Sequence, residues 1–320
     1  MNTWFPTFHR RHTRVVVILL GLALLASPFL PVFSFSFQLT LLAAAVALFG
    51  LPHGALDLAL VQGASGGSWC ALVAAIAVYL VVSAAVLTLW LTAPVVALFA
   101  FLAVAIIHFG LGDTEDLQGF QRAFEVVARG GFVGIAPLVF HPQTTSNLFA
   151  LLVKPSATAG LDSTINTIMP ATGWLWAGCL LVAILWRVRQ GAPGWLPASA
   201  ELLLTTAVFA VFHPLAAFLL YFCFVHSVRH IADLGAARFP ESSACALRWL
   251  LLESLPFAAA TVLLAGGAWF FFARALDFNE ALLRVIFWGL SALTMPHMIL
   301  TAWWHRRGDP QPGDLFARHI

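Results

Sequence analysis

Five histidines sit inside or at the edge of the most apolar stretches of this chain: His53, His108, His226, His230 and His297. Ionisable side chains at membrane depth are costly and are held there by a partner or a function, so five of them point to a shared site. The natural common partner of several imidazoles is a metal ion. His226 and His230 are four residues apart, so on a helix both rings project from one face, with Asp233 on nearly the same stripe one turn further. A zinc hydrolase of the H-E-x-x-H kind needs glutamate directly after its first histidine. Ser227 stands there instead, which argues against metallopeptidase chemistry.

The other histidines come with their own neighbours. In Gly50-Leu51-Pro52-His53-Gly54-Ala55-Leu56-Asp57, Pro52 denies the carbonyl of Leu48 its helical partner, Gly54 admits close approach of other chain segments, and Asp57 is placed to take the second ring N–H of His53. Such a carboxylate fixes the tautomer of a ligand, although a purely structural His–Asp pair has the same spacing. In His108-Phe109-Gly110-Leu111-Gly112-Asp113 the glycines permit a sharp turn, after which Asp113 either folds back toward His108 or caps the next segment. His297 follows Pro296, and three roles stay open for it: a fifth ligand, a donor behind the ligands, or a lining of a substrate channel. His9, His12, His305 and His319 lie in basic termini and are expected in solvent, whereas His141 and His213 precede prolines and mark helix boundaries.

The elements that carry these groups are hydrophobic. The chain is 61% hydrophobic and 9% charged over 320 residues, against about 25% charged in soluble domains. A bilayer crossing takes about 20 apolar residues, so we expect an all-α polytopic transmembrane helix bundle of about 8–10 membrane-spanning helices, with ten favoured. Its parts are a basic N-terminal tail (1–14), one integral-membrane domain (15–305) and a short C-terminal tail (306–320). Arg10, Arg11 and Arg14 before the apolar run from Val15 look like a secretory signal, but the many spans that follow favour an uncleaved first helix. With the N-terminus in the cytoplasm and a break near Pro214, Arg122, Arg129, Arg187, Arg189, Arg238, Arg248, Arg306 and Arg307 all fall on or beside inside loops, as the positive-inside rule prefers. The segment 142–170 is expected to be an external loop. The net charge of +2 offers no basic face to nucleic acid, and Cys70, Cys179, Cys223 and Cys245, scattered singly, read as buried free thiols. There are 28 Phe and 12 Trp against 2 Tyr, a bias that lipid contact explains and that a long apolar substrate would also want.

Taken together, G-L-P-H-G-A-L-D at 50–57, H-F-G-L-G-D at 108–113, Y-F-x-x-x-H-S-x-R-H at 221–230 and P-H-M at 296–298 resemble the Brp/Blh family of membrane-bound β-carotene 15,15'-dioxygenases, over about residues 40 to 305. The resemblance implies an oxidoreductase of the inner membrane that uses Fe(II) and O₂ to split the central double bond of β-carotene into two all-trans-retinal molecules, with a retinal-binding rhodopsin as a possible receiver of the product. It implies His53, His108, His226 and His230 as iron ligands, and Asp57, Asp113, Asp233, His297, Arg229 and Tyr221 behind them or along the channel. Neutral imidazoles suit Fe, Zn, Cu and Ni alike, so the residues by themselves support a metal without choosing one.

Three other readings compete. A di-iron lipid or carotenoid desaturase or hydroxylase would carry more histidine boxes and two irons per chain. A b-type haem protein would use His pairs as axial ligands and show a Soret band. A metal or proton transporter would use intramembrane histidines as a relay.

Overall fold

The computed structural model describes residues 4–57, 61, 68–114, 117–153, 158–191 and 193–306. All regular structure among these is helical, as expected for an all-α chain. Among the described residues eight helices are long and apolar enough to cross a membrane, the lower end of the expected range. Of the ten apolar segments expected from sequence, two fall short. The stretch around 125–141 divides at Ile135 into the helices Gly119–Gly134 and Ala136–Phe140, with Pro137 in the first turn of the latter, while Trp195–Val211 is a shorter apolar helix. The break expected at Pro214 is present: Phe212 is extended and His213 caps the next helix, its Nδ1 accepting the N–H of Leu215. Burial, aided by neighbouring His141, lowers the pKa of His213 and so favours the neutral ring that this acceptor role requires.

Contacts divide the chain into two compact units. The first comprises residues 1–8, 43–92 and 227–320. It holds α3 (Leu51–Ala55), α4 (Trp69–Thr92), α12 (Ser227–Arg238), α13 (Ser243–Phe272) and α14 (Phe278–Arg306). α13 packs on α3, α12 and α14 through a stripe of small and aliphatic residues at four-residue spacing: Ala246, Leu250, Ser254 and Ala258. Outside that contact, Leu247, Leu251, Leu255, Leu263 and Leu264 are exposed. An exposed face this apolar is the lipid side of a membrane helix, and the chain is a multi-pass membrane protein.

α4 is registered against α14 by polar contacts at matched heights. The Nε1–H of Trp90 donates to Ser291 Oγ (3.1 Å), and the hydroxyl of Ser83 donates to the carbonyl of Ala292 (2.9 Å). That carbonyl lies four residues before Pro296, which has no N–H to offer it. Ser83 therefore repairs the gap that the proline opens, and Tyr79, one turn earlier on α4, is brought to the level of Leu293.

The second unit comprises residues 9–42 and 93–226. Besides α1 (Phe5–Ala26) from His9 onward and α2 (Phe35–Ala45) as far as Leu42, it contains α5 (Pro94–Gly112), α6 (Gly119–Gly134), α7 (Ala136–Phe140), α8 (Pro142–Leu152), α9 (Thr158–Gln190), α10 (Trp195–Val211) and α11 (Pro214–Leu219). α5 and α6 approach at backbone distance. A Cβ on Gly130 would lie 1.9 Å from the carbonyl oxygen of Ile106, and one on Gly110 would lie 2.2 Å from that of Val126. Gly110 thus serves packing and not the expected sharp turn.

Several other expectations need correction. Most of 142–170 is helical, in α8 and the start of α9, with Ser146 bonded to Asp162 (2.6 Å) and Thr164 and Thr167 bonded back to carbonyls one turn earlier. Lys154 lies outside the described residues. The basic segment 10–14 is already part of α1, and His12, expected in solvent, bonds through Nε2 to the carbonyl of Phe224 (2.9 Å). Cys179 and Cys223 are buried, but Cys70 and Cys245 are exposed. His305 has no described side chain, and residues 307–320, with Arg307 and His319, lie outside the described part.

Arg129, expected beside a loop, is buried in α6. It meets Glu125 (3.3 Å) and Glu201 (2.9 Å), and Arg187 grips Glu125 with two bonds of 2.6 Å. Burial pushes the Glu125 carboxyl up, but Arg129 and Arg187 more than offset it and hold the group below the usual carboxylate range. A carboxylate depressed on folding contributes stability above its unfolded pKa and loses it as the pH falls through the folded value. Glu125→Gln should therefore destabilise the protein by about 3–5 kcal/mol at neutral pH, because the buried Arg129 and the half-buried Arg187 lose a shared partner. Thermal unfolding in detergent at pH 7 and pH 4 checks this: the variant should show a smaller acid loss than the wild type.

Candidate metal centre

The first unit brings three histidines together. One ring nitrogen from each of His53, His230 and His297 lies within 4.8 Å of the others, a donor set that one ion can bridge. The His53 and His230 rings are 4.1 Å apart by centroid, and His297 lies 5.2 Å from His53 and 5.9 Å from His230. His53 and His297 are buried and His230 is half-buried. The backbone around His53 is loosened as Pro52 requires: Val46–Gly50 forms a π-helical turn, and the N–H of Leu51 reaches back to Val46. Such widened turns favour functional positions because they re-aim the following side chains. Among the described residues, a Cβ on Gly54 would meet nothing within 4 Å.

Asp57 is not the partner of the neighbouring His53. Both of its oxygens face Nδ1 of His297, at 2.8 and 2.9 Å, and the hydroxyl of Tyr79 donates to its Oδ2 (2.8 Å). An ionised carboxylate can only accept, so His297 carries its proton on Nδ1 and keeps its lone pair on Nε2. Sequence distance hid this pairing, because residues 57 and 297 meet through the packing of α14 on α3.

The second unit builds a matching arrangement around His226. Its Nδ1 faces Asp113 Oδ1 (3.1 Å), and the hydroxyl of Tyr221 donates to Asp113 Oδ2 (2.6 Å) while also lying 3.2 Å from the carbonyl of Arg129. Asp113 does not cap the next helix, whose N-cap position is Gln118. It closes the C-terminal end of α5 and orients a histidine over a hundred residues away. His108 lies near His226, ring centroids 5.2 Å apart, and Phe109 stacks on His226 at 4.2 Å. Gly112 makes room for this: a Cβ there would come within 3.1 Å of His226 Cε1. His226 ends a second π-helical turn, Leu220–His226. Arg229 is buried on α12, and Asp233 is half-buried there.

The residues fit a metal in chemical terms. The donors are neutral nitrogens, and for His226 and His297 the bond to a carboxylate presents the Nε2 lone pair, the usual support of a metal-bound imidazole. Zinc, copper, nickel and iron all accept such ligands.

Comparison with known proteins identifies the family. The sequence profile of the Beta-carotene 15,15'-dioxygenase family matches residues 44–305, which include all five histidines. The chain belongs to the β-carotene 15,15'-dioxygenase family. Among curated relatives it is 32% identical to a probable β-carotene 15,15'-dioxygenase Blh of Halobacterium salinarum, over 83% of this chain and 84% of that one. It is 28% identical to the β-carotene 15,15'-dioxygenase of uncultured marine bacterium 66A03, over 80% and 90% of the two chains. It is 27% identical to a probable Brp of H. salinarum, over 72% and 74%. No solved structure matches the chain significantly.

Sequence reasoning missed Tyr79 altogether, although a tyrosine is rare enough here to have been a signal: the family member has 2 Tyr beside 28 Phe. If Asp113 orients His226 for a metal, Asp113→Asn should weaken metal retention about 10- to 100-fold with the fold intact. Titrating purified wild type and variant with a competing chelator measures this.

Proposed function

We propose that this chain splits the central double bond of β-carotene with O₂, giving two molecules of all-trans-retinal, at one iron(II) held by His53, His108, His226 and His230. The observation that carries the reading is the family match over 44–305 in a chain whose buried histidines are arranged as metal donors. His226 and His230 fall in the single span Pro214–Ala236, four residues apart, and that spacing supports the reading. The setting is the inner membrane with the N-terminus in the cytoplasm, and a retinal-binding rhodopsin is a receiver for the product. Family membership favours this reading over the di-iron, haem and transport alternatives.

Iron(II), when bound, supplies the redox chemistry with O₂ that no side chain provides. The chain's own part is placement and exclusion. Asp113 holds a proton at Nδ1 of His226 and thereby its lone pair at Nε2. Phe109 and Phe222, stacked with His226, keep water from that ring and offer the flat apolar contact that a polyene can use. A substrate dissolved in lipid reaches such a site sideways, between helices whose outer faces are apolar.

Expression in a β-carotene-accumulating bacterial host tests the function directly. The wild type should bleach the cells and yield extractable retinal. His53→Ala, His108→Ala, His226→Ala and His230→Ala should each insert normally and give none. Wild-type retinal from any one of them removes that residue from the ligand set. Stripping the purified protein with a chelator should abolish turnover, and iron(II), but not zinc, should restore it.

A further inference from the structure

We propose that Tyr79, Asp57 and His297 form a ligand-presenting arm, so that His297 is a further imidazole ligand of the metal and Tyr79 is the positioning residue behind it. The inference rests on the metal-centre reading above.

The spacing comes first. His297 belongs, with His53 and His230, to a set whose ring nitrogens all lie within 4.8 Å of one another, a span that one ion can bridge. The orientation comes second. Asp57 engages Nδ1 with both oxygens, at 2.8 and 2.9 Å, which leaves Nε2 as the donor atom. Tyr79 donates to Asp57 at 2.8 Å and itself lies 3.4 Å from the carbonyl of Leu293, one turn before His297 on α14. The hydroxyl thus ties the carboxylate to the helix that carries the ring.

The third observation is the likeness of two sites built from different parts of the chain. Tyr221, Asp113 and His226 make the same three-part array, with the hydroxyl 2.6 Å from one oxygen of the aspartate and the imidazole 3.1 Å from the other. The protein has 2 tyrosines and 28 phenylalanines, and both tyrosines are spent on an aspartate that orients a histidine. His226 carries this dressing as a proposed ligand. His297 carries it too, beside two further proposed ligands, and a plain structural His–Asp pair explains neither the third member nor the cluster of rings.

Cobalt(II) loading of the purified, detergent-solubilised protein provides the test, since its visible absorption reports coordination number and its affinity can be titrated without any turnover. The variants are His297→Ala, His297→Gln and Tyr79→Phe, with His53→Ala as the reference. The Gln variant keeps an amide N–H for Asp57 while removing the ring donor, so it remains informative where Ala disturbs folding. We expect His297→Gln to lose at least 10-fold in cobalt affinity and to show a changed visible band, and Tyr79→Phe to lose about 10-fold with the band retained. Wild-type affinity and spectrum in His297→Gln, alongside weakened binding in His53→Ala, overturn the proposal for His297 and leave the metal centre standing. Cobalt binding unaffected in His53→Ala as well overturns the metal-centre reading and this inference with it.

Discussion

An imidazole in an apolar interior has one donor and one acceptor to satisfy, and the structure depends on how the donor is met. For His226 and His297 the answer is a carboxylate, and a buried carboxylate in turn needs donors of its own. Tyrosine hydroxyls supply them. Around Asp113 the chain of compensation runs further, because Arg129 is close enough to interact electrostatically with that aspartate and is itself balanced by Glu125 and Glu201. Each member is costly to bury alone, and the set persists because every charge has a counterpart.

The backbone obeys the same accounting. A helix in lipid must satisfy its carbonyls internally, yet Pro52 and Pro296 each remove a donor immediately before a histidine. At His53 the helix answers by widening to a π-helical turn over Val46–Gly50. At His297 it answers by borrowing the Ser83 hydroxyl for the carbonyl of Ala292. In both places the irregularity that the proline forces is resolved by a definite geometry, and a resolved irregularity holds a ring in one place better than a frayed helix does.

The class of fold was legible because it depends on composition: apolar runs long enough to cross a bilayer declare themselves. The four-residue spacing of His226 and His230 is a local signal of the same kind, and it marks candidates for a metal. What could not be read was long-range partnership. Asp57 is four residues from His53 but bonds to a ring 240 residues away, and Asp113 bonds to His226, 113 residues further on. Local proximity was a poor guide because a side chain on a helix is aimed by the packing of that helix, not by its neighbours in sequence. The same holds for Arg129, which pairs with Glu201, 72 residues away.

The scarcity of tyrosine follows from these constraints. A phenol differs from a phenyl ring by a hydroxyl that costs free energy in an apolar environment unless an acceptor meets it. Wherever an aromatic ring faces lipid or fills the core, phenylalanine does the same work without that cost, so tyrosine persists where its proton is used. Tyr221 shows this: its ring packs among Phe109, Phe132 and Phe209 as another phenylalanine could, and its hydroxyl alone reaches Asp113. Exchanging that one oxygen for hydrogen would keep the packing and leave the carboxylate short of a donor, so the hydroxyl's contribution lies in the direction His226 faces more than in the stability of the bundle.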